Sequence, residues 1–267
     1  MYNDIRMIKH CGEKTAQKYY EQGIYTWTDP RFKAKDPKSF TGKQMEHFIQ
    51  ANRDNKHFLV EYTFEGKELF IDIENVNDII FMIGVWYKDS ENPFIQWTAT
   101  ELTFQEEIRI IKEYDNFVKE FNPDRIYIWG EHEKQEFEKR NKKYKMSINT
   151  EKLFNFCKFL EINGFAIPEL FNHSLKSVGK LFYKKGYIES TWENDVVDGL
   201  DAMEQARLCY KNNLPLDKIQ KYNYIDVKVM QEIIYFIQNS QENPSYPHIG
   251  TSTESINTQL TDTDRHV

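Results

Sequence analysis

The stretch "FIDIENVNDIIFMIGVWY", residues 70–87, decides how this chain reads. Phe, Ile and Val crowd it as they do buried strands, yet Asp72 and Glu74 stand inside it, one residue apart. Side chains alternate across a strand, so Phe70, Asp72 and Glu74 share one face while Leu69, Ile71 and Ile73 share the other. The two acids then lie about 6–7 Å apart along the strand. On a solvated edge such a pair is unremarked. Within an apolar sheet the two charges repel and are costly to desolvate, unless a proton or a cation compensates. A hard divalent cation does so, because it takes oxygen ligands.

Working outward, "HFLVEYTF" (57–64) and "ELFIDIE" (68–74) are β-rich runs joined around "EGK", which predicts a hairpin. "DIIFMIGVWY" (78–87) and "PFIQWTA" (93–99) predict two further strands. In "TFQEEIRIIKEYDNFVKEF" (103–121) Ile108, Ile111, Phe117, Val118 and Phe121 have helical spacing. Thr103 is the expected N-cap, with Glu106 three residues on. "DRIYIWG" (124–130) is the next strand, and helical patterns dominate through residue 239. Strands, a crossover helix, a further strand and then helices predict a mixed α/β layer fold.

Residues 1–40 carry two short helical patterns followed by a linker-like stretch, "DPRFKAKDPKSF" (29–40). Residues 41–239 hold nearly all the strand and long-helix signal. Residues 240–267 are rich in Ser, Thr, Asn and Asp, and such a tail is expected to be flexible. Aromatic residues make up 15% of the 267, enough for a sizeable core. No stretch of 18 apolar residues and no apolar signal-peptide core occurs, so a cytoplasmic or nuclear protein without a membrane span is expected. Cys11, Cys157 and Cys209 are odd in number and far apart. They fit neither a zinc spacing nor a disulfide framework. A formal net charge of −7 excludes a surface that coats nucleic acid throughout, while leaving room for local basic patches.

Two more segments set acids where apolar residues are expected. In "LDKIQKYNYIDVKVMQEIIYFI" (216–237) the stripe runs Ile219, Tyr222, Ile225, Val229, Ile233 and Phe236 or Ile237, and Asp226 falls at its edge or within it. Tyr222 precedes Asp226 by four residues, so the phenol and the carboxylate project from one helix face. In "IYIWGEHEKQEFEKR" (126–140) a strand opens into a segment bearing Glu131, His132, Glu133, Glu136 and Glu138. Any one of these suits a solvated helix face, but functional groups in α/β sheets collect where strands end and helices begin.

Taken in order, "DIE" on a first strand, an acid just after a later strand and Tyr-x-x-x-Asp on a late helix resemble the DEDDy branch of the 3′–5′ exonuclease superfamily, which has a ribonuclease H-like fold. The likeness is nearest to the YprB-like, RecB-associated predicted nucleases. Their "YN-x-x-E", "SLK-x-V", "G-x-x-A" and "YN-x-x-DV" segments correspond here to "WGEHE" (129–133), "SLKSV" (174–178), "GLDA" (199–202) and "YNYIDV" (222–227). The resemblance spans residues 58–239. It implies a ribonuclease H-like mixed sheet flanked by helices, with Asp72, Glu74, Glu133 and Asp226 as ligands of two Mg²⁺ or Mn²⁺ ions. Glu131 and Glu136 are the alternatives to Glu133, and Tyr222 would orient or help deprotonate the attacking water. Trp129 departs from the family, which tends to have Tyr or His there.

Single-stranded DNA or RNA is the implied substrate. The basic clusters "KRNKKYK" (139–145), with Lys142 and Lys143, and "KSVGKLFYKK" (176–185), with Lys176 and Lys180, are the candidate phosphate contacts. Both also suit solvated helix faces. Residues 4–29 resemble a helix-hairpin-helix module with Gly12 at the hairpin, which would bind nucleic acid through backbone N–H groups. It could equally be a packing appendage, and only one hairpin glycine is present where two are usual. Two competing readings remain open: a catalytically inactive module that binds nucleic acid or protein, and a nuclease module of a larger replication or repair assembly.

Overall fold

In the computed structural model, residues 3–88, 93–192, 196 and 198–239 are described, so the segment 240–267 expected to be flexible lies outside them. Strand β1 (Glu68–Val76) lies at the centre of the sheet, with the antiparallel neighbours β2 (Ile79–Tyr87) and then β3 (Phe94–Thr98) on one side. On its other side run β4 (Arg125–Ile128) and β5 (Leu153–Asn155), parallel to it. Among the described residues the order is β3-β2-β1-β4-β5. This is a mixed α/β sheet flanked by helices, the layer fold that the sequence predicts and an arrangement consistent with the one the resemblance implies.

The two faces of β1 explain both layers. Leu69, Ile71 and Ile73 enter one core, with Ile110, Ile111 and Tyr114 of α3 (Phe104–Phe121). Phe70 enters the other, with Val227, Met230 and Ile234 of α8 (Asp217–Gln238). The helix starts follow capping chemistry. Thr103 Oγ1 accepts from Glu106 N, and Ser174 Oγ accepts from Ser177 N at the start of α6 (Leu175–Lys184). Asp198 caps α7 (Gly199–Asn212) in the same way. Helix α4 (His132–Tyr144) begins four residues past β4, after Gly130, whose φ of +131° is one that only glycine adopts readily.

Two local expectations are corrected. Residues 57–64 form no strand. Phe58 makes an isolated bridge to Ala166, and Tyr62 instead joins an aromatic cluster with Phe156 and Phe159, its hydroxyl bonded to that of Tyr127. Hydrophobic composition served packing there rather than pairing. Near the N-terminus, the first of the two helical patterns is only a 3-10 turn (Ile5–Met7), and the second is α1 (Glu13–Tyr20). Ile5, Ile8, Ala16, Ile24 and Phe32 of this segment are buried in the same core as Phe48 of α2 (Phe40–Asp54), Leu160 of α5 (Phe156–Ile162) and Phe182 of α6. Among the described residues, no helix is long and apolar enough to cross a membrane.

Candidate metal centre

Because β1 and β4 are parallel, their carboxyl ends lie together. Asp72 and Glu74 follow the paired Phe70–Tyr127 position on β1, and α4 opens beside them. Helix α8 crosses the same face and delivers Asp226. One carboxylate oxygen from each of Asp72, Glu74 and Asp226 lies within 4.8 Å of the others. Glu74 and Asp226 are buried, and Asp72 is partly so. These three residues, all oxygen donors, could hold a metal ion.

Glu133 is not within that tight group, but it belongs to the same electrostatic unit. It is buried, its Oε2 has no hydrogen-bond partner, its charge acts on Asp72 and Glu74, and the charge of Asp226 acts on it in turn. An orphaned buried carboxylate oxygen beside three other acids is what an oxygen-seeking cation would satisfy. Its helix neighbours are otherwise engaged. Glu136 is paired to Arg140 and accepts from Asn75 Nδ2 at 2.8 Å, while exposed Glu131 accepts from Asn155 Nδ2 at 2.8 Å.

Burial dominates the electrostatics. It lifts the Asp72 carboxyl well above the usual range, helped by the charges of Glu74, Asp226 and Glu133. Glu74 is raised by burial and then by Asp226. Asp226 is pushed up to about 6 by burial, against the lowering effect of hydrogen bonds from Trp192 and Tyr222 and of the Lys176 charge. Burial also takes Glu133 up to about 7. Desolvation and the neighbouring Asp226 raise the Tyr222 phenol, so it stays protonated and donates to Asp226.

Several groups that sequence reasoning did not single out hold the acids in place. Asn223 Nδ2 donates to Asp72 Oδ2 at 2.7 Å and to the Asp72 carbonyl at 3.2 Å, while its Oδ1 accepts from Gln96 Nε2 at 2.8 Å. Gly84 pairs with Asp72 across the sheet, and a Cβ there would come within 2.1 Å of Asn223 Oδ1. The Trp192 indole N–H donates to Asp226 Oδ1. Asn223 stands inside the quoted "YNYIDV" and was legible there. The partnership of Gly84, Gln96 and Trp192 with the acids has no signal in one sequence.

The expected basic contacts separate. Lys176, in the first turn of α6, sets its ammonium 4.5 Å from the Tyr222 ring centroid and 5.8 Å from that of Trp192, and its charge reaches Glu74 and Asp226. Lys180 is exposed one turn further on. Lys142 and Lys143 end α4, roughly 15 Å along its axis from Glu133. Lys143 there pairs with Asp78 at 3.0 Å and lies over the Phe104 ring, so its charge serves the fold. Gly12 is the N-cap of α1, with a φ of −69° open to any residue, and the 3-10 turn before it leaves no pair of helices around a hairpin.

No family model matches this chain, and no curated protein matches it. Among solved structures, the chain is similar to a family B DNA polymerase from the hyperthermophilic archaeon Pyrobaculum calidifontis, at a TM-score of 0.48 and 16% identity. The match covers 66% of this chain and 25% of the polymerase, so it spans a quarter of that protein's length.

Proposed function

We propose that the chain is a metal-dependent nuclease that hydrolyses phosphodiester bonds, acting as a 3′–5′ exonuclease on single-stranded DNA or RNA. The observation that carries this reading is the convergence of one carboxylate oxygen each from Asp72, Glu74 and Asp226 within 4.8 Å, with the unpartnered Oε2 of buried Glu133 beside them. Such a group of acids is costly without a counter-charge. Asp72, Glu74, Glu133 and Asp226 would hold the two Mg²⁺ or Mn²⁺ ions implied by the resemblance. When bound, these would offset charge on the phosphate and lower the pKa of water. Asn223 fixes the carboxylate of Asp72 by a hydrogen bond, and Trp192 and Tyr222 fix that of Asp226. With its raised pKa, Tyr222 is suited to orienting a water by hydrogen bonding rather than to removing its proton. Lys176, over the rings of Tyr222 and Trp192, is the candidate partner of a phosphate oxygen.

The test is direct. End-labelled single strands are incubated with the protein in Mn²⁺ or Mg²⁺, in parallel with Asp72→Ala and Asp226→Ala variants. Wild type should shorten the strands, and each variant should lose roughly a hundred- to a thousandfold in rate, the scale of removing transition-state charge stabilisation. Intact strands with wild type, or variants as active as wild type, would refute the assignment.

A further inference from the structure

Helix α7 is held to the core through two small residues, Ala202 and Ala206, which are its buried ones. The opposite face is exposed and carries Leu200, Glu204, Arg207, Leu208 and Lys211. These positions recur at helical spacing, so they form one stripe along the helix. Leu200 is 67% and Leu208 52% exposed, and Leu214, 55% exposed, follows just beyond the helix. Single surface leucines are ordinary, whereas leucines grouped on one face mark a surface that another molecule covers. Between Leu200 and Leu208 lies an exposed ion pair, in which Arg207 donates to Glu204 Oε2 at 2.7 Å.

We propose that this face of α7 joins two copies of the chain, packed as antiparallel helices about a two-fold axis at Glu204. The inference is independent of the nuclease reading. The symmetry of the stripe carries it. A two-fold contact must be complementary to itself, so that when residue i meets residue j, j also meets i. Leu200 and Leu208 stand equally far from position 204, one on either side. In an antiparallel pair centred there, Leu200 of each copy meets Leu208 of the other. The charges obey the same symmetry. Two Glu204 carboxylates facing one another would repel, but each is flanked by its own Arg207 and, within a turn, by Arg207 of the other copy. Acids and bases then alternate in a ring of four, the complementarity that fixes register at an interface. The same arrangement brings Lys211, at the basic end of one helix, to the Asp198 cap of the other. A partner of a different kind would require none of this self-complementarity. With 14 residues α7 is about 21 Å long. A helix pair of that length is a small interface, which sets the expected association in the micromolar range.

Sedimentation velocity of the whole chain, from micromolar to several hundred micromolar, tests this. The weight-average mass of wild type should rise with concentration from that of one chain towards that of two. Leu208→Glu should weaken the association at least about tenfold, because it sets a charge into the apolar contact. Leu200→Glu is the second variant, should a thermal melt show that the first disturbs folding. Arg207→Glu sets four acids at the axis and Glu204→Lys sets four bases there, so each should be monomeric alone. An equimolar mixture of these two restores alternating charges and should dimerise again. A wild type that stays monomeric throughout overturns the inference, and residues 240–267 or another protein would then be the occupant of this face. A dimer that the folded leucine variants leave intact also overturns it. So does a mixture of the two folded charge variants that remains monomeric.

Discussion

At the residue scale, the site depends on side chains that never bear its charge. Gly84 has no Cβ, and that vacancy is where Asn223 reaches in to hold Asp72. A methyl group 2.1 Å from Asn223 Oδ1 cannot be accommodated without movement. Gly84→Ala should therefore displace Asn223 and lower strand-cleavage kcat roughly ten- to a hundredfold, with a stability loss of about 1–3 kcal/mol typical of overpacking. Paired kinetics and thermal melts check this. Asn223→Ala, by contrast, makes room rather than strain. It should reproduce much of the kinetic loss, and combining it with Gly84→Ala should add little, because the two act on one contact. Additive kinetic losses in the double variant would show that Gly84 does not act through Asn223.

At the element scale, α4 and α6 are fixed by buried polar groups with different sensitivities. Arg140 of α4 is fully buried and pairs with equally buried Glu107 of α3 at 2.7 Å, while donating to the Asp78 carbonyl at 3.0 Å. Glu107 also accepts from the Ile80 amide at 2.8 Å, so the pair binds two helices to the β1–β2 turn. Removing one partner strands a buried charge. Arg140→Met should cost about 3–5 kcal/mol in denaturant unfolding, whereas replacing both residues with apolar ones of similar size should cost far less. His173 precedes α6, with Nε2 bonded to the Phe165 carbonyl, and burial depresses its pKa from the ordinary 6.5 to about 4. A depressed folded-state pKa means that the unfolded chain takes up the proton first. The stability contribution is then fully present above pH 6.5 and is lost as pH falls towards 4, by up to about 3 kcal/mol. Unfolding free energies of wild type and His173→Gln across pH 4–7 should diverge in slope over that window, and parallel slopes would refute the assignment.

At the scale of the whole molecule, the acids create a pH dependence of the opposite sign. Burial raises Asp226 to about 6 and Glu133 to about 7, so the folded protein keeps protons that the unfolded chain has lost. The metal-free protein should lose stability as pH rises through this range. Divalent cations need these ligands deprotonated, so their stabilising effect should grow with pH. The rise in Tm on adding Mn²⁺ should be small at pH 5 and several degrees at pH 8, and Asp226→Asn should flatten the difference. A Tm gain independent of pH would count against the carboxylates as the binding group.

What the sequence determined by itself was local and periodic. Strand alternation assigned Phe70, Asp72 and Glu74 to one face and Leu69, Ile71 and Ile73 to the other, as found in the two cores. Helical spacing put Tyr222 and Asp226 together, and capping chemistry marked Thr103 as a helix start. These succeed because they depend on backbone geometry within a few residues. Only the tertiary structure decided that Asp226 reaches Asp72 and Glu74 and that Glu133 stays outside the tight group. It alone decided that Trp192 binds Asp226, that Lys143 serves Asp78, and that residues 57–64 pack rather than pair. Each of these depends on how elements far apart in the chain come to rest against one another, and no spacing within a segment encodes that distance. For Asp72 and Glu74 the sequence posed the electrostatic problem, and α8, crossing the sheet face, brings the third acid that defines it.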